Sequence, residues 1–188
     1  MAVARRNSML FVIALLLPFC SHADETYSKP ELRAELLQMM AADQEARKGG
    51  DWDKVQELDL EHSEFLSDLL RDSDWPRISE VGPDGAKAAW LLAQHADHNR
   101  DLQKAVLKAL TEYLLEGEAN SQDVALLYDR IAVAEGRSQR YGTQGRCVED
   151  EGWQPNEIEN PQEVDFLREE MGLPPFESYS ERMQQFCQ

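Results

Sequence analysis

From Leu32 to about Glu135, apolar side chains recur at intervals of three and four residues, in successive runs separated by glycine, asparagine and aspartate. That period restricts the chain to helices that must bury one face each. In the first run Leu32, Leu36, Met39 and Met40 share a face. Ser28 is placed to cap this helix, Pro30 to sit in its first turn and Glu31 to complete a capping box. Gly49-Gly50 stops it, and Asp51 is placed to cap a second helix with Val55, Leu58, Phe65, Leu66 and Leu69 on its apolar side. Two glycines between two amphipathic helices predict an antiparallel hairpin.

Asp74-Trp75-Pro76 and Gly82-Pro83-Asp84-Gly85 bracket what reads as a short irregular link. Residues 86–116 are again helical in pattern, with Leu91, Leu92, Leu102, Val106, Leu110 and Tyr113 as the apolar set. An unbroken helix of that length would be unusual in a globular domain. Asn99 as an N-cap, with Asp101 in the turn after it, predicts an elbow at residues 97–101 instead. A further helix is expected from Ser121, as N-cap, to Glu135, closed by Gly136. Beyond it, Gly142, Gly145, Gly152, Pro155 and Pro161 mark a loop-rich segment from about residue 137. A short helix follows Asn160-Pro161, closed by Gly172 and Pro174-Pro175, and the tail adds another turn or two. The strand signal is poor and no internal repeat is evident. The expected fold class is all-α: antiparallel helical hairpins packed as a bundle or short superhelix, with a loop-rich C-terminal segment.

The first residues read as an export signal. Arg5-Arg6 precede an apolar run at residues 9–17, which Pro18 breaks before Ser21-His22-Ala23. A run that short falls below the roughly 20 residues a membrane-spanning helix needs. The expectation is therefore cleavage after Ala23 and no stable membrane anchor, with 24–188 as a single helical domain in the periplasm or outside the cell. Ser8 stands where a twin-arginine signal carries an apolar residue, and Phe19 is too bulky to precede a lipoprotein cysteine. The whole chain has a formal charge of −17. Residues 1–23 hold two arginines and no acid, so the mature chain is more acidic still. Such a surface repels nucleic acid and anionic lipid, and no nucleic-acid partner is expected. Cys20 leaves with the signal, and Cys147 and Cys187 are then expected to pair in an oxidising compartment. The chain-entropy gain for a loop of that length is at most about 4 kcal/mol.

Chemistry concentrates in two stretches. Gln94-His95-Ala96-Asp97-His98 places two histidines and an acid at the elbow. His95 and His98 could share a metal, with Asp97 or Asp101 adding oxygen, or could simply tie the elbow together by hydrogen bonds. With only two mature cysteines and three mature histidines, a zinc-finger site is unsupported, and no cofactor is expected. The second stretch, residues 137–146 preceded by Asp129-Arg130, concentrates arginine without lysine. Arginine forks and glycine-exposed backbone N–H groups suit an anion, and Ser138 and Thr143 add hydroxyls. The same arginines could equally pair with the surplus carboxylates and pin the loop. The lysine-serine/threonine ending of a phosphate-binding loop is missing, as are a dinucleotide fingerprint and a nucleophile motif. A vaguer set, Asp43, Gln44, Asp59 and His62, lies on the first helical pair, where Asp59 and His62 are spaced to meet.

Asp43-Gln44, the 91–97 string at the elbow, Asp129-Arg130 and above all Gln139-Arg140-Tyr141-Gly142-Thr143-Gln144 resemble a bacterial family of uncharacterised proteins, over roughly residues 43–172. The sequence departs from that pattern at Arg100, where the family often carries proline. The resemblance lends no catalytic residue, but it implies that these separated strings form one site. Two functions follow as expectations. One is a pocket for a small polar or anionic ligand, lined by Gln94, His98, Arg130, Gln139, Arg140, Tyr141, Thr143 and Gln144. In an enzymatic version His95 is its general base. The other is a structural or protein-interaction module in which the same residues form a buried polar network.

Overall fold

A computed structural model describes residues 27–187, so the export-signal reading, Cys20 and cleavage after Ala23 all lie outside the described residues. Helix α1 (Pro30–Gly49) opens on Pro30 as expected, but Lys29 occupies the cap position without a side-chain bond, and neither Ser28 nor Glu31 forms a capping box. A tertiary contact replaces the local cap. The Lys29 N–H donates to the Glu80 carbonyl at 2.9 Å, and its ammonium meets the Glu80 carboxylate at 2.8 Å. Gly50, at φ +70°, closes α1 in the left-handed region that glycine tolerates best. Asp51 then caps α2 (Trp52–Asp72) by accepting from the Lys54 N–H at 3.1 Å.

The link before the third helix is shorter than its prolines and glycines suggest. Helix α3 (Ile78–His95) already begins at Ile78 and kinks at Gly82, where φ is +76° and ψ 163°. A Cβ there would meet the Tyr27 ring at 2.7 Å, and Pro83, which has no N–H to lose, restarts the helix behind the kink. The elbow is where the spacing placed it. α3 stops at His95 and α4 (Arg100–Leu114) starts after Asn99, whose side chain accepts from the Leu102 N–H at 3.1 Å. Two side-chain amides sew this corner together. Asn99 donates to Ser63 on α2 at 3.0 Å, and the buried Gln103 amide donates to the Ala93 and Gln94 carbonyls that end α3. The next helix, α5 (Ser121–Ala134), is capped by Asn120 rather than Ser121, whose hydroxyl donates instead to the Met171 carbonyl at 2.9 Å.

The C-terminal segment corrects the all-α expectation. β1 (Gly145–Val148) and β2 (Gly152–Pro155) form a two-stranded antiparallel hairpin, with Gly145 opposite Pro155 and Val148 opposite Gly152. Strands of four residues carry too little alternation to be read from sequence. The protein is mostly helical, with a small antiparallel sheet. After α6 (Val164–Glu170), α7 (Phe176–Gln184) is fastened to β2: Gln184 bonds the Trp153 N–H and carbonyl, and Tyr179 meets the Trp153 ring edge-on. Cys147 and Cys187 stand at disulfide distance with Cα atoms 5.4 Å apart, closing the tail onto β1.

α1 packs on α2 and α3, and α3 continues the stack onto α4 and α5. The core they share holds Leu36, Leu66, Val81, Leu92, Val106 and Leu127, all nearly or wholly buried, and Trp75 plugs its end. Ala88, Ala89 and Ala93 keep α3 thin at the centre, so α1 can approach closely. Among the described residues no helix is long and apolar enough to cross a membrane.

A candidate functional site at the elbow

Asp43 continues the apolar stripe of α1, seven residues after Leu36, and has no exposed surface. A carboxylate so placed must be paired. Three side chains do this: His95 Nδ1 lies 3.1 Å from both carboxylate oxygens, Gln44 donates at 2.7 Å, and Arg47 Nε donates at 2.9 Å. Burial alone would raise its pKa, but His95, Gln44 and Arg47 outweigh burial and hold it at about 2. The Arg47 fork also reaches Asp59 on α2, so one guanidinium bridges two carboxylates. His95, whose side chain is 17 % exposed, is the last residue of α3 and is held by α1 from behind.

His95 lines a cleft of about 350 Å³ together with Arg47, Asp59, Asp97, His98 and Arg130, and Leu60 supplies an apolar wall. Arg130 grips Asp97 with both prongs, Nε at 2.8 Å and Nη2 at 2.5 Å. Burial pushes the Asp97 carboxyl up, but Arg130 and Gln103 outweigh it and keep the group below its ordinary range. The cleft therefore presents two arginines, two carboxylates and two imidazoles at the junction of α1, α2, the elbow and α5. Asp43, Asp59 and His95 can each present one atom within 4.8 Å of the others, the spacing of a three-ligand metal set. Arg47 already supplies positive charge to both carboxylates, and that ion-pair arrangement accounts for the cluster without a metal. His98 does not belong to it.

The structure thus brings His95, His98 and Arg130 together and adds Asp43, Asp59 and Arg47. It places the other expected site residues elsewhere. Gln94 is buried in α3, its Oε1 without a hydrogen-bond partner among the described residues. Tyr141 and Thr143 bond a second buried carboxylate, Asp129, while Gln139 and Gln144 bond each other within the same loop. Asp129 accepts from the Arg140, Tyr141 and Thr143 N–H groups at 2.7, 3.1 and 2.9 Å and from the Thr143 hydroxyl at 2.9 Å. The Gln139 amide donates to the Gln144 and Asn156 carbonyls and accepts from the Gln144 N–H. The glycine-bearing loop that reads as an anion nest therefore wraps around an anion of the protein's own. The Arg140 side chain is exposed and lines a different groove, between α4 and α5. Asp59 and His62 do not meet: Asp59 turns to Arg47, while His62 is buried with Nδ1 unpartnered among the described residues and its pKa lowered by burial.

Arg168 was not legible at all. It has no exposed surface, donates to the Tyr141 and Pro174 carbonyls at 2.5 and 2.7 Å, and lies over the Tyr179 ring. It ties the 139–144 loop to the segment after α6, and no local pattern in a surface-like helix announces such burial. The Asp43–His95 pair had a partial signal, since Asp43 interrupts an apolar stripe, but its partner lies 52 residues away.

No curated protein and no solved structure matches the chain. Residues 30–186, covering every element described above, match a single family, and the chain belongs to that family of unknown function (DUF6624).

Proposed function

We propose that this is an exported helical domain whose elbow cleft binds a small polar or anionic ligand, with His95 as general base. One observation carries the reading: a carboxylate without exposed surface, Asp43, holds Nδ1 of a histidine that lines a cleft. A carboxylate acceptor fixes the proton of a neutral ring on Nδ1 and leaves the Nε2 lone pair to take a proton from a ligand. Asp43 is then a positioning residue, and its own low pKa keeps it ionised in that role. Arg47 and Arg130 retain N–H groups beyond those bound to carboxylates, so they can add donors to a polar ligand without leaving a buried charge unpaired. Export is supported by the Arg5-Arg6 start, the apolar run and Ser21-His22-Ala23, together with two cysteines at disulfide distance.

A second reading, a structural or protein-interaction module, draws on the Asp129 cluster, where the Arg140, Tyr141, Thr143 and Gln144 N–H groups and the Gln139 amide all have partners inside the fold. A thermal-shift panel of divalent metals, inorganic phosphate, sugars and amino acids separates the two. The expected result is a rise in melting temperature with one class, abolished in His95→Ala while that variant's own melting temperature stays within a few degrees of the parent. A flat panel, an undiminished shift in His95→Ala, or an unfolded variant sinks the pocket reading in favour of the network.

A further inference from the structure

A groove of about 630 Å³ lies away from the elbow, along the seam between α4 and α5. That volume falls in the range of small-molecule sites, roughly 300–1,000 Å³. Its floor is apolar: Leu107 and Leu114 come from α4, Val124, Tyr128 and Ile131 from α5. The two helices run antiparallel there, because Lys104 near the start of α4 pairs with Glu135 just after α5. Leu114 and Val124 consequently share the opposite end, where Met171 closes the groove through the Ser121–Met171 bond.

The two ends differ in chemistry. At one, Lys104 and Arg137 share the single carboxylate of Glu135, leaving positive charge in excess. Lys108 and Arg140 add two further cations to the lining, and neither has an ion pair among the described residues. Arg140 rests instead beside the hydroxyl of Tyr141, whose ring meets Tyr128 edge-on at 5.9 Å as the groove's wall. Only Glu112 and Glu135 oppose these four cations. In a chain of charge −17, free cations gathered over an apolar floor stand against the composition of the rest of the surface. The other end has no charged lining residue of its own beyond Glu112.

We infer that this groove binds a free single-chain amphiphile with an anionic head, its carboxylate at the Lys104–Lys108–Arg137–Arg140 mouth and its alkyl chain running toward Leu114, Val124 and Met171. The distance along α4 from Lys104 to Leu114 is about 15 Å at the helical rise, about the length of an extended twelve-carbon chain. Arginine forks match a carboxylate, and the apolar floor removes the chain from water. This site is independent of the elbow cleft.

The test is calorimetric titration of the full protein with dodecanoate below its micelle threshold. One-to-one binding is expected, at least tenfold tighter than octanoate, because each methylene added to the apolar seam contributes. Dodecyltrimethylammonium, with the same chain and the opposite charge, should bind at least tenfold more weakly. The double variant Lys108→Gln/Arg140→Gln should weaken dodecanoate at least tenfold. Thr111→Trp, at an exposed position on the groove, should block the chain while leaving the circular dichroism unchanged. His95→Ala should bind dodecanoate as the parent does, so loss of the elbow function and loss of this one are separable. The inference is overturned by absence of binding, by equal affinity for the cationic amphiphile, or by an unaffected Thr111→Trp variant. It is equally overturned if the protein binds anionic phospholipid vesicles but not dodecanoate, which would make the groove a bilayer contact.

Discussion

Asp43 and Asp129 are both buried carboxylates, and they differ in what satisfies them. Asp129 is met by backbone N–H groups and a hydroxyl, so it builds a loop. Asp43 is met by side chains that themselves reach solvent, so it orients chemistry. The difference is measurable by pH. Asp43 has a folded pKa of about 2 against an ordinary 3.8, so its contribution to stability is complete above pH 3.8 and disappears as pH falls toward 2. The shift corresponds to about 2 kcal/mol. Urea unfolding should show Asp43→Asn destabilised by about 2–4 kcal/mol at pH 7, because Arg47 loses a buried partner. The gap from the parent should narrow by about 2 kcal/mol between pH 5 and pH 2. Parallel curves for the two proteins would show that Asp43 is not the titrating group.

At the level of elements, helix starts and stops were legible wherever the cap is local. Gly50, Asp51, Asn99 and Gly136 act where their spacing placed them. Ser28 and Ser121 did not, because Lys29 is held by Glu80 and Asn120 stands one residue nearer the turn. The early start of α3 was hidden by Gly82-Pro83, which reads as a loop yet serves as a kink packed against Tyr27. The elbow cap has a testable weight. Asn99→Ala removes the bond to the Leu102 N–H and both bonds to α2, and should cost about 1–2 kcal/mol. Hydrogen exchange should quicken in the first turn of α4 and leave α1 unchanged. A uniform change across the molecule would mean the elbow is not a local fastening.

For the whole molecule, the hairpin and α7 pack on one another as a C-terminal clasp, closed by Cys147 and Cys187. Their loop spans a sequence separation of 40, and opening it should cost at most about 4 kcal/mol. The double variant Cys147→Ser/Cys187→Ser should therefore melt lower, and added reductant should lower the parent's melting temperature but not the variant's. Equal sensitivity of both would show that the two cysteines are not bonded. The amino-acid sequence by itself determined the helical period, the principal breaks and the elbow, because each depends on near neighbours. Only the tertiary structure decided which polar strings share a site. The strings of residues 94–98 and 139–144 look alike as polar clusters, but α5 carries Arg130 to the elbow and turns Asp129 into the loop. Adjacent residues on a helix point about 100° apart, so one dipeptide serves two separate networks, and that division exists only once the helices have packed.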